Sequence, residues 1–528
     1  MKEKCRSTHV SSSVALLAND IDRKSYAIDA LTLFAIALVL YSSFASCSFN
    51  EGDSFNFAKA LMKVDLYTER PHAPGYPVYV FLGRIIFMLT RSQLIALVWL
   101  SVVSGALTLI PLYFLTRAMY NRESAALTCV ALMVVPGFWL SNEKATTDAL
   151  SAFLVVLGVT LLYFGMRGSR TATLVSWVVY ALSIGARPTH LAFVPLWVYG
   201  TLRRRNFKEL LACVGAFFVA VSLWLVPVIW VTGWERFLSA TRHMYTGTAS
   251  TDFVLARPLG LDPLERLISA VAGILTFGMG AMLPHLFGFG FPFASNSIPT
   301  FYILHDTLLV GIVLCFLVNF KKIVQKIFTL LWIIPHFAFV YMFGSPIHYR
   351  YYLTIYPALM LLAVPSVTSL KAFRCHPTLK IKWHRPIHLM VVLLIIVTFT
   401  AHTMPLAEKL HTEPSPITQL ARYVEQNYSS KETTILVFHE YSAFEICAPQ
   451  FEYYHCRRQL TESLEQLKTI SNGNRTLLIT STAYEYLLRH HLVLQLEAKK
   501  IVEFYLDPRA EIEDHRVSIY LIHAARVL

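Results

Sequence analysis

The 528-residue chain is 55% hydrophobic and only 15% charged, so it has too few polar residues to cover the surface of a soluble globular protein. Its formal net charge of +13 comes mostly from short basic clusters between apolar segments. That pattern marks cytoplasmic loops rather than a nucleic-acid-binding surface. Composition therefore excludes a soluble enzyme and a nucleic-acid-binding protein, and predicts a polytopic α-helical membrane protein.

The chain opens with a polar segment, 1–26, whose five Lys and Arg residues predict a cytoplasmic N-terminal tail. Residues 27–405 follow as a predicted transmembrane domain with about 11–13 spans, because runs of about 20 apolar residues cross a bilayer. The predicted spans are 28–47, 94–118, 124–140, 146–166, 172–186, 188–202, 208–231, 301–319, 325–343, 351–370 and 387–404.

Two further apolar stretches, 76–92 and 264–283, are ambiguous. Each could be a span, or each could lie in the interface or turn back. The interfacial alternative keeps every basic cluster on the cytoplasmic face, as the distribution of Lys and Arg requires. Arg84 within the first stretch also suits an interfacial helix better than a span.

With those two stretches kept out of the bilayer, the unusual polar residues collect on one face. The predicted outer segments are 48–93, 141–148, 187–190, 232–263, 344–350 and everything after 405. Polar side chains at membrane depth are costly and usually functional. Those on the outer face are Glu51, Asp53, His72, Glu143, Lys144, Asp148, Arg187, His190, Glu235, Arg236, Arg242, His243, His348 and Arg350. Their convergence predicts a site outside the cytoplasm.

The first outer loop, 48–93, begins with the acidic cluster Glu51-Gly52-Asp53. Apolar residues then recur at helical spacing, which predicts an amphipathic helix lying on the membrane. Asp53 falls in the first turn, where the helix dipole favours an ionised carboxylate. It could accept a proton or bind a metal, or it could only hold the start of the helix. Glu51 could contact the acceptor or a metal, or be solvated.

Four other short motifs carry candidate site residues. The stiff segment Pro71–Pro77 contains His72, which could donate a hydrogen bond to a phosphate. Asp148 starts a predicted span, and Arg187 lies in a short turn where its guanidinium could bind a phosphate with two hydrogen bonds. Arg350 lies among tyrosines, an arrangement equally typical of the interfacial aromatic belt.

The tail, 406–528, is polar and predicts a small extracytoplasmic α/β domain. Its predicted strands are Thr434–His439, Thr476–Thr480 and Val517–His523, and its predicted helices are Ile417–Tyr428, Leu460–Thr469 and Ala483–His490. Cys447 and Cys456 both lie in this tail, so a disulfide between them is possible.

Several familiar catalytic motifs are missing from the sequence. There is no GxGxxG, Walker A, HExxH or CxxC pattern. An ATP-driven pump and a zinc protease are therefore disfavoured.

The order of motifs resembles the GT-C superfamily of integral-membrane glycosyltransferases. The chain has, in order, a first span, the segment Glu51-Gly52-Asp53-Ser54, an amphipathic helix and the segment His72-Ala73-Pro74-Gly75-Tyr76-Pro77. Asp148 follows at the start of a later span. The chain looks closest to protein O-mannosyltransferases and lipid A aminoarabinose transferases, and the His72 segment is similar to the HPPGYP stretch of one O-mannosyltransferase-like branch. The architecture covers roughly 28–370, and the family often has Asp-Glu where this chain has Asp53-Ser54.

This resemblance implies a sugar donor on a polyprenyl or dolichyl phosphate and transfer with inversion. Asp53 takes the position of the family's first-loop aspartate, as general base or acceptor-orienting residue. His72 takes that of a basic residue near the donor phosphate, and Asp148 that of the second-loop acidic residue. By position alone, Arg187 and Arg350 are expected phosphate binders, and Glu51 is expected among the substrate contacts.

The expected partners are the lipid-phosphate sugar donor, a protein or glycolipid acceptor, and the bilayer itself, with no nucleic acid. No cofactor is expected; a divalent metal is possible but is not required by the sequence. The expected location is a bacterial plasma membrane or the endoplasmic reticulum, with the active site and C-terminal domain extracytoplasmic. A transporter or flippase for a lipid-linked or anionic solute is the alternative, although the sequence lacks the repeat that such folds often carry.

Overall fold

A computed structural model describes residues 25–203, 207–251, 263–280, 323–345, 347–368, 384–469, 475–507, 509–510 and 515–527. The N-terminal tail up to residue 24 and the predicted span 301–319 lie outside these ranges. Most of the basic residues between 371 and 385, a cluster of the kind that marks cytoplasmic loops, lie outside them as well.

The membrane domain consists of helices packed around one apolar core. In chain order they are α1 Ser25–Ser43, α2 Gly52–Met62, α3 Pro77–Thr90, α4 Gln93–Met119, α5 Arg122–Val134, α6 Pro136–Asn142, α7 Asp148–Met166, α8 Arg170–Ala186, α9 Val194–Leu202, α10 Phe207–Thr232, α11 Trp234–Thr251, α12 Pro263–Ala272, α13 Ile323–Phe343, α14 Tyr356–Thr368 and α15 His384–Thr412. Short 3₁₀ turns, Pro188–Phe193 and Tyr349–Ile355, precede α9 and α14.

Six helices of the described residues are long and apolar enough to cross a membrane, and a bent pair makes a seventh candidate. They are Ser25–Ser43, Gln93–Met119, Asp148–Met166, Phe207–Thr232, Lys326–Phe343 and Leu389–Asn427. Shorter helices occupy the predicted spans 172–186, 188–202 and 351–370. The protein is thus a multi-pass helical membrane protein, as the composition predicts.

One predicted span is not a straight helix. The run 124–140 is broken between α5 and α6, which meet at an angle of 67°. Pro136 lacks an amide hydrogen, and Val135 before it adopts an extended ψ of 123°, which ends α5. The turn directs the C-terminal end of α6 toward the outer loop that precedes α7.

The surface helix α2 forms where it is predicted, with Asp53 in its first turn. Its polar face does not lie open to water, however. The Lys59 Nζ donates to Ser442 Oγ and Glu445 Oε2, both at 2.8 Å, and Asn56 Oδ1 accepts from Ser442 at 2.7 Å. The C-terminal domain therefore covers this face of the predicted amphipathic helix.

Helix α3 occupies the ambiguous stretch 76–92. Its 14 residues extend about 21 Å, less than the roughly 30 Å of a hydrocarbon core. Arg84 donates to the carbonyl oxygens of Ala60 and Leu61, at 2.8 and 3.0 Å. This guanidinium satisfies the open C-terminal end of α2 and ties the two short helices together.

The C-terminal domain is a five-stranded sheet with helices. Its elements are α16 Pro416–Asn427, β1 Thr433–Val437, α17 Tyr441–Cys447, β2 Glu452–His455, α18 Leu460–Thr469, β3 Thr476–Thr480, α19 Ser481–Arg489, β4 Val493–Tyr505 and β5 Arg516–Val527. The strand order is β2-β1-β3-β5-β4; β2, β1 and β3 are parallel, and β5 is antiparallel to its neighbours.

The predicted tail elements all occur, and β3 and α18 have the predicted bounds. Three elements were not predicted: β2, β4 and α17. Cys447 and Cys456 are both free, so the disulfide considered for them is not formed. Helix α15 runs without a break past the expected domain boundary at 405 and ends at Thr412.

Candidate active site

A cavity of about 840 Å³ lies between loops of the membrane domain and the C-terminal domain. Five of the six predicted site residues line it: Asp53, His72, Asp148, Arg187 and Arg350. The sixth, Glu51, lines a small neighbouring pocket that shares Asp148 and Arg350 with the cavity. Residues up to 299 positions apart in sequence are thus brought together at one point.

Arg350 joins the two carboxylates of the first loop. Its guanidinium pairs with Glu51 through one nitrogen and with Asp53 Oδ2 through another, at 3.2 Å. Glu51 is the N-cap of α2, and its side chain is only 2% exposed. Asp53 is 32% exposed and faces the cavity. Glu51 is therefore not solvated, and Asp53 is the carboxylate that a ligand can reach.

His72 connects Asp53 to Tyr76. The Nδ1 atom lies 3.5 Å from Asp53 Oδ1, and the Nε2 atom lies 2.7 Å from the Tyr76 hydroxyl. Burial raises the pKa of Tyr76, and the nearby Asp53 carboxylate adds to the effect, so the phenol stays a donor. His72 thus bridges the Asp53 carboxylate and the Tyr76 phenol.

A second ion pair lies at the start of α7. Arg187 pairs with Asp148 and is 3.4 Å from the Thr147 hydroxyl. The guanidinium of Arg187 and that of Arg350 both stack near the ring of Tyr351, at 5.1 and 5.3 Å from its centroid. Tyr351 is thus within cation–π distance of both arginines.

The charges around Asp53 control its protonation. Burial opposes ionisation, but the positive charges of His72, Arg350 and Arg187 outweigh it and lower the pKa of Asp53 below its ordinary value. Asp53 is therefore an ionised carboxylate at physiological pH.

The remaining cavity wall has an apolar side and a polar, aromatic side. Met244 on α11, together with Phe339, Val340 and Phe343 on α13, makes an apolar side next to the membrane helices. The C-terminal domain contributes a polar and aromatic side, whose residues include Phe438, His439, Tyr441, His455, Arg457, Arg458 and Thr482. A molecule with an apolar tail and a charged headgroup matches the first side and the arginines beside it.

The other outer polar residues take different positions. His243 and His348 line the cavity, and Lys144 lines the small pocket. Glu143 is buried and accepts from the Trp139 indole. Exposed surface positions that do not line the cavity are occupied by Glu235, Arg236 and Arg242, whereas His190 is buried beside His336.

Sequence reasoning missed Tyr76, Tyr351 and the whole C-terminal wall. Tyr76 and Tyr351 stood inside motifs that were singled out for their His and Arg. His439 and Thr482 lie at the ends of predicted strands, where ligand sites of α/β sheets form. That rule was the one available signal for them.

Comparison with known proteins identifies the architecture. A profile of the family described as dolichyl-phosphate-mannose-protein mannosyltransferase matches residues 70–230. The apo oligosaccharyltransferase of Archaeoglobus fulgidus superposes with a TM-score of 0.53 at 12% identity, over 86% of this chain and 69% of its own. ArnT from Cupriavidus metallidurans, solved with undecaprenyl phosphate, superposes with a TM-score of 0.54 at 13% identity, over 93% and 97%. No curated protein sequence matches the chain.

The chain has the GT-C fold. The resemblance to the GT-C superfamily, and the predicted fold class of a polytopic helical domain with a small C-terminal α/β domain, are confirmed. The family profile includes His72, Asp148 and Arg187, whereas Asp53 and Arg350 lie on either side of it. The segment that matches the family profile therefore contributes residues to the cavity, and the cavity is the candidate active site.

Proposed function

We propose that the protein is a membrane glycosyltransferase that moves a sugar from a polyprenyl or dolichyl phosphate to an acceptor hydroxyl, with inversion, on the extracytoplasmic face. One observation carries the proposal. An ionised carboxylate, Asp53, shares a cavity with Arg187 and Arg350, and an apolar wall adjoins them. The family profile and the GT-C fold support a lipid-linked donor in general terms.

The donor phosphate binds where the arginines are. Guanidinium groups hold phosphate through paired hydrogen bonds, and Tyr351 keeps both groups in position. The polyprenyl chain lies along Phe339, Val340 and Phe343 and leaves toward the bilayer. The arginines then stabilise the charge that builds on the phosphate as it departs.

Asp53 accepts the proton of the acceptor hydroxyl. The acceptor oxygen bonds to the anomeric carbon from the face opposite the phosphate, while the bond from that carbon to the phosphate oxygen breaks. The lipid phosphate leaves with the electron pair. A carboxylate of low pKa is a weak base, but the bound phosphate offsets the charge of Arg350 and raises the pKa of Asp53 toward its ordinary value. Donor binding thus prepares the base.

The mechanism needs no divalent metal, because arginines supply the positive charge. Among the described residues, no group of three or more His, Cys, Asp or Glu side chains is placed to hold an ion. Transfer is expected to continue in the presence of EDTA.

The transporter alternative has less support, since each comparison given above is to a glycosyltransferase. No observation on the cavity favours a path that continues through the membrane.

The decisive experiment incubates purified protein with a panel of polyprenyl-phosphate sugars and candidate acceptors, followed by mass spectrometry. Wild-type protein is expected to transfer one of the sugars. The Asp53→Asn variant should fold and reach the membrane but lose transfer, with kcat reduced at least about 100-fold.

The control is Lys63→Gln, an exposed substitution just past the same helix. It should turn over like wild type. Turnover by Asp53→Asn at the wild-type rate would overturn the assignment of the base, and an inactive wild type across a broad panel would count against the function itself.

A further inference from the structure

The C-terminal wall of the cavity has no role in the chemistry above. Its residues follow the carboxyl ends of three adjacent parallel strands: His439 follows β1, Arg457 follows β2 and Thr482 follows β3. Val437 at the end of β1 is in register with His455 at the end of β2, so these ends are level. Open α/β sheets bind ligands at this edge. The edge here faces the proposed active site rather than solvent.

The two arginines at this edge differ in their ion pairing. Arg458 pairs with Glu69. Burial disfavours the charge of Glu69, yet Arg458 and His72 together lower its pKa. Glu69 is therefore close to both the C-terminal wall and the centre around Asp53. Arg457 also lines the cavity, but no carboxylate of the described residues lies within ion-pair distance of it.

His455 adds a fixed hydrogen-bond donor. Its Nδ1 accepts from the backbone N–H groups of Arg457 and Arg458, at 3.2 and 3.4 Å. The proton must then be on Nε2. Burial, helped by Arg458, lowers the pKa of His455 to about 4, so the ring is neutral at physiological pH. A neutral N–H donor and the exposed guanidinium of Arg457 therefore line the same cavity.

We propose that Arg457 and His455 form an acceptor subsite that binds an anionic group, a phosphate or carboxylate, near the hydroxyl that receives the sugar. This inference rests on the proposed transferase function and specifies its acceptor. A guanidinium and an N–H donor that line the same cavity are groups that bind such oxyanions.

The size of the cavity limits the acceptor further. At about 840 Å³ it is in the range of sites for small molecules, and it must hold the donor headgroup as well. A folded protein cannot enter. A small headgroup fits such a volume, so the proposed acceptor is the charged headgroup of a glycolipid or a comparably small anionic glycan.

The test uses the full chain in lipid nanodiscs, the donor found by the panel, and two glycolipid acceptors that differ by one phosphate monoester. Arg457→Gln should raise KM for the phosphorylated acceptor about tenfold or more, the effect of losing a charged hydrogen bond. The kcat and the KM for the dephosphorylated acceptor should change less than about twofold. Arg457→Lys should give an intermediate KM.

Arg475→Gln is the matched control, because Arg475 lies on the same domain and pairs with Glu452 away from the cavity. It should leave both acceptors unaffected. An equal effect of Arg457→Gln on the two acceptors, or no effect on either, overturns the subsite. If wild-type protein neither transfers nor hydrolyses the donor, the transferase function is what fails.

A binding measurement tests the subsite without turnover. Glucose 1-phosphate is titrated into protein saturated with undecaprenyl phosphate, which occupies the donor site. Its affinity should fall about tenfold in Arg457→Gln and stay unchanged in Arg475→Gln. Equal affinity in wild type and Arg457→Gln would overturn the proposal.

Discussion

Glu51 and Asp53 are two positions apart and share Arg350, yet their surroundings separate their roles. The Glu51 side chain is 2% exposed and that of Asp53 is 32% exposed. A carboxylate without access to solvent cannot meet an acceptor hydroxyl. Glu51 therefore holds Arg350 in place, while Asp53 remains the group available for chemistry.

Replacing each carboxylate by its amide should separate the two roles. Glu51→Gln leaves Arg350 buried with one charged partner fewer, so the free energy of unfolding should fall by about 1–3 kcal/mol. Asp53→Asn should change it by less than about 0.5 kcal/mol, because that site is partly exposed. Thermal unfolding of the detergent-solubilised proteins measures both. Equal destabilisation by the two variants would contradict this division.

The low pKa of Asp53 also predicts a pH effect. The carboxylate is active when ionised, so activity is lost as pH falls through its pKa. Arg350 is one of the charges that hold this pKa down. Arg350→Gln should therefore raise the pKa of Asp53 and move the acid limb of kcat/KM to higher pH, because kcat/KM reports groups of the free enzyme.

Arg350→Lys keeps the charge and serves as the control, with the acid limb expected near its wild-type position. The position of the limb, rather than the height of the profile, is the quantity compared. An acid limb that stays in place in Arg350→Gln would show that Arg350 does not tune Asp53.

At the scale of elements, the break between α5 and α6 positions the second acidic loop. The apolar run 124–140 predicts one span, but Val135 and Pro136 divide it. The local signal was in the sequence, since the residue before a proline avoids helical geometry. Hydropathy averaged over 124–140 does not reveal this break, because every part of the run is apolar. The short α6 then delivers the chain to Asp148 at the start of α7.

Gly105 on α4 allows the C-terminal end of α6 to pack closely against α4. A Cβ atom there would lie 2.2 Å from Cγ of Asn142, the last residue of α6. Gly105→Ala should displace Asn142 and the loop after it, lower the free energy of unfolding by about 1–3 kcal/mol and reduce transfer.

Gly215→Ala on α10 is the control, because nothing lies within 4 Å of its Cβ position. Replacing a helical glycine by alanine there should be neutral or stabilising by up to about 1 kcal/mol. Both variants are followed by thermal unfolding and by donor turnover. A Gly105→Ala protein with wild-type stability and turnover would contradict the packing argument.

Helix α2 marks the limit of local patterns. Its amphipathic spacing predicted the helix and its first turn correctly. The same spacing did not predict the partner of the polar face, because sequence periodicity distinguishes two faces but does not identify what covers them. The partner of Lys59 is Glu445, 386 residues away. Only the folded chain brings them together.

For the whole molecule, the fold class and the gathering of site residues could be predicted from the sequence. Asp53, His72, Asp148, Arg187 and Arg350 each lie beside the end of a predicted helix on one face, so topology alone brought them near one another. The C-terminal wall could not be predicted in the same way. Strand β2 has only four residues and a polar sequence, so its carboxyl end went unrecognised.

The orientation of the molecule remains a prediction that labelling can check. In a cysteine-free background, Arg489→Cys on the C-terminal domain should react with a membrane-impermeant maleimide in intact cells. Arg170→Cys, at the exposed start of α8 on the predicted cytoplasmic side, should react only after permeabilisation. Reaction of Arg170→Cys alone in intact cells would reverse the assigned topology.

Helix α15 has a consequence for the distance over which the protein can act. Its 29 residues are continuous, and the part beyond the predicted span end at residue 404 reaches Thr412, about 12 Å further on. Although Pro405 lies inside it, α15 continues as one helix and carries the chain from the predicted span toward the C-terminal domain. The headgroup region on each side is only about 5–8 Å deep. Under the proposed function, acceptors would then be selected by how far they project from the bilayer, as well as by their charge.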